Sequence, residues 1–306
     1  MMHDEQPFEE PVDELESEVM AEAIDPYAGR FHSFASMIQT LHERLQTKKP
    51  TEGCPSGNRD IDRLLGGFRV GRVTVLGAET SWGKSSFAIL TANATLNRSK
   101  RVLLISAEDS QMTYAERFAA SRMRISAIGL RDNNLRPNDV GLIDTLRMQT
   151  QYATADFFLD AIGKPVEWIA EAIKHNAELL GPAPLVIVDY LQAISAKTKQ
   201  QDRRNEVSYV GRVLTDTIKS VGSSGLLLSQ LKRPDGKGKP TMHDLKESGD
   251  IENSAEHVLI GYLEAGARFI DVAKNKDGPR ISESIELGFN PETASFHIDP
   301  IYESQS

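Results

Sequence analysis

Residues 76–86 read LGAETSWGKSS, so a Gly-Lys-Ser tripeptide stands between the apolar run 73–76 and a helical stretch that begins near Phe87. That order of strand, small-residue loop and helix is a phosphate-binding arrangement. Small residues let successive backbone N–H groups turn inward on an anion, and the helix behind them points its positive end at the same place. The reading assigns Ala78, Glu79, Thr80, Ser81, Trp82, Gly83, Lys84, Ser85 and Ser86 to the nucleotide. Lys84 would reach the β- and γ-phosphates and the Ser85 hydroxyl would bind Mg²⁺, so ATP and Mg²⁺ are the expected cofactors. Ala78 replaces the first glycine of GxxxxGK[ST], with Gly77 beside it. Alanine fits there if its φ is negative. Taken alone, the segment is also compatible with a plain strand-to-helix turn, so its companions matter.

From residue 58 onward, short β-rich runs alternate with helical ones, the pattern of an α/β fold with a mostly parallel twisted sheet flanked by helices. Strands are predicted over 73–76, 101–106, 155–159, 185–188, 226–229, 257–262 and 268–274. Helices are predicted over 85–97, 113–124, 165–180 and 208–221. In such sheets ligands bind beyond the carboxyl ends of the strands. Glu108 follows the apolar run 102–105, where a carboxylate can orient a hydrolytic water; a solvated strand-end acid is the plainer alternative. Asp189 ends the apolar run 185–188, the position from which nucleotide hydrolases hold Mg²⁺. Gln230 follows the run 226–228, and its amide can both donate and accept near a γ-phosphate.

Basic residues gather after two of these strands: Lys197, Lys199, Arg203 and Arg204 after Asp189, and Lys232, Arg233, Lys237 and Lys239 after Gln230. Loops of this kind track a phosphate backbone, although a solvated charged loop is the alternative for each. The net charge of −9 does not argue against a polyanionic partner. Residues 1–25 hold ten of the 44 acids and no Lys or Arg, which leaves 34 acids against 35 Lys and Arg in the rest of the chain. That acidic segment, with Pro7, Pro11 and Pro26, is expected to be a disordered tail over 1–30. Phe34, Met37, Ile38, Leu41 and Leu45 then recur at helical spacing, and an amphipathic helix is expected over 31–48. Residues 47–50 and 53–57 read as a linker, and 49–306 as the main domain. The single cysteine, Cys54, allows no internal disulfide. Nothing approaches the roughly 20 apolar residues of a membrane helix, and the expectation is a cytoplasmic protein with no membrane partner.

Several segments together resemble the DnaB-type replicative helicases, whose motor is a RecA-like P-loop NTPase domain. The resemblance covers about residues 55–300. It rests on SGNRDIDRLLGGFRVGRVTVLGAETSWGKSS from Ser56, SAEDS from Ser106, VIVDYLQ from Val186, LSQLKR from Leu228, HDLKESGDIENSAEHVL from His243 and VAKNKDGP from Val272. It implies an ATP-dependent DNA helicase in replication: a homo-oligomeric ring, usually a hexamer, with ATP between subunits and single-stranded DNA in the channel. It also implies partners such as a helicase loader or other replication proteins.

Carried over by position, Lys84 and Ser85 bind nucleotide and metal, Glu108 activates water, Asp189 supports the metal and Gln230 couples the site to DNA. Lys246, Glu247 and Gly249 match the family's DNA-backbone loop, beside the Arg203, Arg204, Lys232 and Arg233 clusters. Lys274 and Lys276 match the pair that reaches the next subunit's γ-phosphate. The family generally carries arginine where Lys276 stands, and lysine supplies charge without a planar fork. The helix over 31–48 resembles the linker helix that docks on the adjacent subunit. Two rival readings stay open: a DnaB-like nucleotide-binding assembly or loading protein with weak hydrolysis, and a RecA-like recombination or regulatory ATPase.

Overall fold

The computed structural model describes residues 33–46, 53–150, 157–232, 239–248, 254–278 and 283–303. The expected acidic tail lies outside them, as do Arg233 and Gly249. The chain divides into two units, Met1–Pro50 and Thr51–Ser306. In the first, α1 (Phe34–Gln46) buries none of its residues, and the expected apolar set Phe34, Met37, Ile38, Leu41 and Leu45 is exposed.

The second unit begins with a correction. Residues 53–57, expected as linker, are built into the domain: Cys54 and Phe68 exchange backbone hydrogen bonds of 2.8 and 2.7 Å, and Cys54 and Ser56 are buried. Burial pushes the Cys54 thiol up. Asn58 then caps α2 (Arg59–Leu65), its side chain accepting from the N–H groups of Asp60 and Ile61.

Eight strands form one sheet in the order β3-β2-β4-β5-β1-β6-β7-β8. They are β1 (Val73–Ala78), β2 (Val102–Ser106), β3 (Phe157–Asp160), β4 (Leu185–Asp189), β5 (Ser224–Gln230), β6 (His257–Glu264), β7 (Ala267–Asn275) and β8 (Ile285–Leu287). The pairings from β3 across to β6 are all parallel, and only β6–β7 and β7–β8 are antiparallel. Parallel strands covered on both faces carry unbroken apolar runs, and alternate residues divide between two cores. Val73, Val75, Val186, Val188 and Leu227 enter one; Leu76, Leu185, Ile187, Leu226 and Leu228 enter the other.

The first core is closed by α7 (Val166–Leu180) and α8 (Arg203–Ser220), through Ile169, Ile173, Val210 and Leu214. The second is closed by α2, by α3 (Lys84–Leu96), which is buried from Phe87 through Thr95, and by α4 (Gln111–Met123) through Tyr114. Two further helices, α5 (Ala127–Arg131) and α6 (Pro137–Thr150), follow α4. A two-stranded hairpin, β9 (Phe289–Asn290) with β10 (Ser295–Phe296), packs on α3.

The sheet order decides where chemistry can happen. β1 lies between β5 and β6, yet the chain leaves it through α3 to reach β2, beyond β5 and β4. The crevice above the carboxyl ends of β1, β5, β4 and β2 is therefore open to a ligand.

Candidate nucleotide site

The loop after β1 folds as a phosphate cradle. Ala78 ends β1 in extended backbone with no positive φ, so the alanine fits where the pattern has glycine. Ser81 and Gly83 turn the chain at φ of 69° and 108°, and Gly83 is the N-cap of α3. A Cβ at Gly83 would meet the Phe296 ring at 3.2 Å as well as straining the backbone, so only glycine serves there. The Lys84 ammonium donates to the Ala78 carbonyl at 3.4 Å and lies 6.0 Å from the Tyr190 ring centroid. Burial pulls its pKa down, against the upward pull of Asp189 and Glu108.

Trp82 belongs to the cradle by its backbone. Its side chain is not a ligand-facing group but part of the core, at 0% exposure, packed on Phe87 and Phe296 with its indole N–H donating to the Phe269 carbonyl at 3.0 Å. Arg268 donates to the Trp82 carbonyl at 2.8 Å while its guanidinium stacks 3.5 Å from the Phe289 centroid. Ser86 likewise points away from the cradle and donates to the Ala294 carbonyl at 2.7 Å. The Glu79 carboxylate accepts from the Leu263 N–H at 3.4 Å. Trp82 and Ser86 brace the loop from behind, and what they offer a phosphate is backbone.

The two acids meet because their strands are neighbours. Ser106 of β2 is in register with Asp189 of β4, and the Ala107 N–H donates to the Asp189 carbonyl at 2.7 Å. Glu108 follows directly, exposed above that edge. Burial pushes its carboxyl up, and the nearby Asp109 and Asp189 add to the shift. A carboxylate held in this way is suited to take a proton from water. Asp189 is 2% exposed. Burial pushes its carboxyl up too, against the Ser85 and Tyr114 hydroxyls and the charges of Arg117 and Lys84. Its Oδ2 accepts from the Tyr114 hydroxyl, whereas Oδ1 is buried without a hydrogen-bond partner. A buried carboxylate oxygen without a partner, on an acid that the Ser85 hydroxyl also approaches, is a fitting donor set for a hard cation. The described residues contain no cluster of three or more acids, histidines or cysteines that could hold a metal ion.

Gln230 joins this edge through its amide, which donates to the Thr80 hydroxyl at 3.1 Å. Gln192, one turn beyond Asp189, is a residue whose part the sequence did not disclose. Its amide donates to the Ser229 hydroxyl at 2.9 Å and accepts from the Gln230 N–H at 3.1 Å, tying the ends of β4 and β5 together. The basic segments leave from the same edge. Arg204 is exposed at the start of α8, and Arg203 donates to Glu206 and to the Gln192 carbonyl. The Lys232 N–H donates to the Asp244 carbonyl at 3.3 Å, which leads into the turn Met242–Ser248 that contains Lys246 and Glu247.

Lys274 and Lys276 are not brought to this site. β7 runs antiparallel to β6, so Lys274 pairs with Val258 and Asn275 with His257, level with the start of β1. Lys276 lies 3.9 Å from Glu256, whose carboxylate also holds Lys219 at 2.7 Å.

A strand, a cradle with a glycine-capped helix behind it, acids at two adjacent strand ends and a side-chain amide on a third define a RecA-like P-loop nucleotide-binding domain. The chain belongs to the DnaB-like helicase C terminal domain family, whose model matches residues 53–298. It is 24% identical over 303 residues to the replicative DNA helicase DnaB of Geobacillus stearothermophilus, covering 93% of this chain and 66% of that protein. With the replicative DNA helicase DnaC of Bacillus subtilis it shares 28% over 273 residues, covering 85% and 59%. The chain thus spans about six-tenths of the length of these relatives. Its fold is similar to that of a solved ATPase domain, with a TM-score of 0.78 at 23% identity, covering 87% of this chain and 98% of that one. It is also similar to a DnaB-like replicative helicase solved with attention to its interactions with primase, with a TM-score of 0.75 at 23% identity over 94% and 72% of the two chains.

Proposed function

We propose that residues 49–306 form an ATP-hydrolysing motor that works in a ring on single-stranded DNA, as a helicase in replication. The observation that carries this reading is the division of the catalytic set between two edges of one sheet. Lys84, Ser85, Glu108, Asp189 and Gln230 lie at the carboxyl edge, while Lys274 and Lys276 lie level with the start of β1. Each copy then holds two half-sites, and closure of a ring joins them.

In this reading the cradle backbone from Ala78 to Ser86 and Lys84 bind the triphosphate. Ser85 and Asp189 hold Mg²⁺, which neutralises phosphate charge when bound. Glu108 orients the attacking water and takes its proton. Lys274 and Lys276 approach the γ-phosphate of the neighbouring copy, and Gln230 relays its state through β5 to the basic segments. Those segments supply the DNA contacts: Arg204, Lys232, Arg233, Lys246, Glu247 and Gly249, with Arg203 joining them only if it leaves Glu206 and Gln192. The residues over 31–48 serve as linker helix, docking their apolar face on an adjacent copy. An apolar cavity of about 420 Å³ beside Met112, Phe118, Leu130, Ile143 and Leu146 is of a kind that receives such a helix. A cytoplasmic location, a loader and other replication partners belong to the same proposal.

The test is ATP turnover with and without single-stranded DNA, followed by strand displacement on a forked duplex. Wild type should show DNA-stimulated hydrolysis and unwinding. Lys84→Ala and Glu108→Gln should each lower kcat by a factor on the order of 10² or more. Full turnover by Glu108→Gln would remove that residue from the mechanism. ATP-dependent assembly without unwinding would instead favour a loading protein, a reading to which the lysine at position 276 and its contact with Glu256 lend weight.

A further inference from the structure

Tyr114 carries no mark in its sequence context, yet it makes a direct side-chain contact with the metal-side acid. It sits in the first turns of α4, 3% exposed, with its ring 5.2 Å from that of Phe158 and the Arg117 guanidinium 5.6 Å from its centroid. From there its hydroxyl donates to Asp189 Oδ2. Arg117, one turn further along the same face of α4, pairs with Asp109, the residue next to Glu108. One helix therefore grips both strand ends that carry the carboxylates.

We propose that Tyr114 is a positioning residue for the metal-side carboxylate: its hydroxyl occupies Oδ2 of Asp189 and leaves Oδ1 as the single face through which that acid meets the cation. The observation behind this is the asymmetry of the two oxygens, one hydrogen-bonded and the other buried without a partner. A carboxylate with two free oxygens would rotate and share its charge among several poses. The phenol fixes one pose without adding or removing charge. Outer partners of metal-side ligands usually change metal affinity or activity by about 10–100-fold when removed. The proposal rests on Asp189 being the metal-side acid.

Tyr114→Phe in the full chain keeps the ring and deletes only the donor. Three readouts separate positioning from simple structural support: thermal melting in EDTA, binding of a fluorescent ATP analogue in EDTA, and the Mg²⁺ concentration that gives half-maximal analogue binding and ATP turnover. The expected result is a Mg²⁺ requirement raised about tenfold, with analogue binding in EDTA close to wild type. In an Asp189→Asn background the same change should add no further shift in Mg²⁺ requirement. Should Tyr114→Phe melt below the assay temperature, Tyr114→Met removes the donor with a side chain that fills irregular space. A folded variant with the wild-type Mg²⁺ requirement would overturn the role of Tyr114 while leaving Asp189 untouched. An Asp189→Asn protein with an unchanged Mg²⁺ requirement would overturn both the metal-side reading and the proposal that stands on it.

Discussion

Glu256 shows how a residue outside the nucleotide site holds the start of the strand that leads to it. It is buried at the start of β6, where its carboxylate accepts from the Val73 N–H at 3.0 Å and from Lys219 at 2.7 Å. Burial alone would push its carboxyl up, but these partners more than offset it and the pKa lies below the ordinary 4.5. A depressed carboxylate contributes stability that is present above its unfolded pKa and is lost as pH falls through the folded value. Glu256→Gln keeps the acceptor for Val73 and deletes the charge opposite Lys219. Breaking a buried pair costs about 3–5 kcal/mol; because Lys219 is 31% exposed, about 2–3 kcal/mol is expected at neutral pH. Urea denaturation at a series of pH values checks this. The difference between wild type and variant should shrink below about pH 4.5, whereas a constant difference would mean the charge is not the cause. Burial pulls the neighbouring His257 imidazole down while the charges of Asp277 and Glu256 pull it up, so part of the pH dependence of the difference passes through His257. None of this is legible in the sequence. Glu256 lies inside a recognised motif, but its partners are 183 and 37 residues away.

At the scale of elements, sequence pattern serves best where one physical rule acts alone. β1, β2, β4 and β5 announce themselves because a strand covered on both faces must be apolar throughout, and α7 because its apolar residues follow one stripe. α6 gives no such signal, since Val140, Leu142, Ile143, Leu146 and Met148 spread around its circumference and only Leu146 is buried. β9 and β10 are two residues each, too short for any period. The burial of the Trp82 side chain is illegible for a related reason. Its place in the loop pattern is local information, whereas its indole N–H meets the Phe269 carbonyl and its ring meets the Phe296 ring, about 200 residues on. The loop, β7 and the β9–β10 hairpin thus form one mechanical piece. Trp82→Ala should cost about 3–5 kcal/mol of stability by leaving a cavity, and should weaken binding of an ATP analogue as the cradle loses its backing. Trp82→Phe, which refills most of the space, should recover most of both. If stability falls and analogue affinity does not, the brace supports the fold without shaping the cradle.

At the scale of the whole molecule, the geometry of one copy bears on whether a nucleotide site belongs to one copy or two. The Lys276 N–H donates to the Glu256 carbonyl and the Glu256 N–H to the Val73 carbonyl, so Lys276 is moored at the first residue of β1. The cradle begins after Ala78, five residues of strand away, or about 17 Å at the usual rise. No lysine side chain spans that gap, and the proposed roles of Lys84 and Lys276 in one reaction then require two copies. In a head-to-tail ring each interface takes its cradle from one copy and its lysine pair from the next. A Lys84→Ala copy loses its own cradle and keeps its lysine pair; a Lys276→Ala copy does the reverse. Each variant alone should lose turnover, Lys84→Ala by a factor on the order of 10² or more and Lys276→Ala by about 10³, the scale on which a cation supplied across an interface acts in phosphoryl transfer. Co-assembled at equal amounts, they should regain turnover toward about a quarter of wild type, because one random interface in four pairs an intact cradle with an intact lysine. Measured turnover against mixing ratio should then rise to a maximum near equal parts. If both groups served the same copy, every copy in the mixture would carry one defect, and the mixture would be inactive at every ratio.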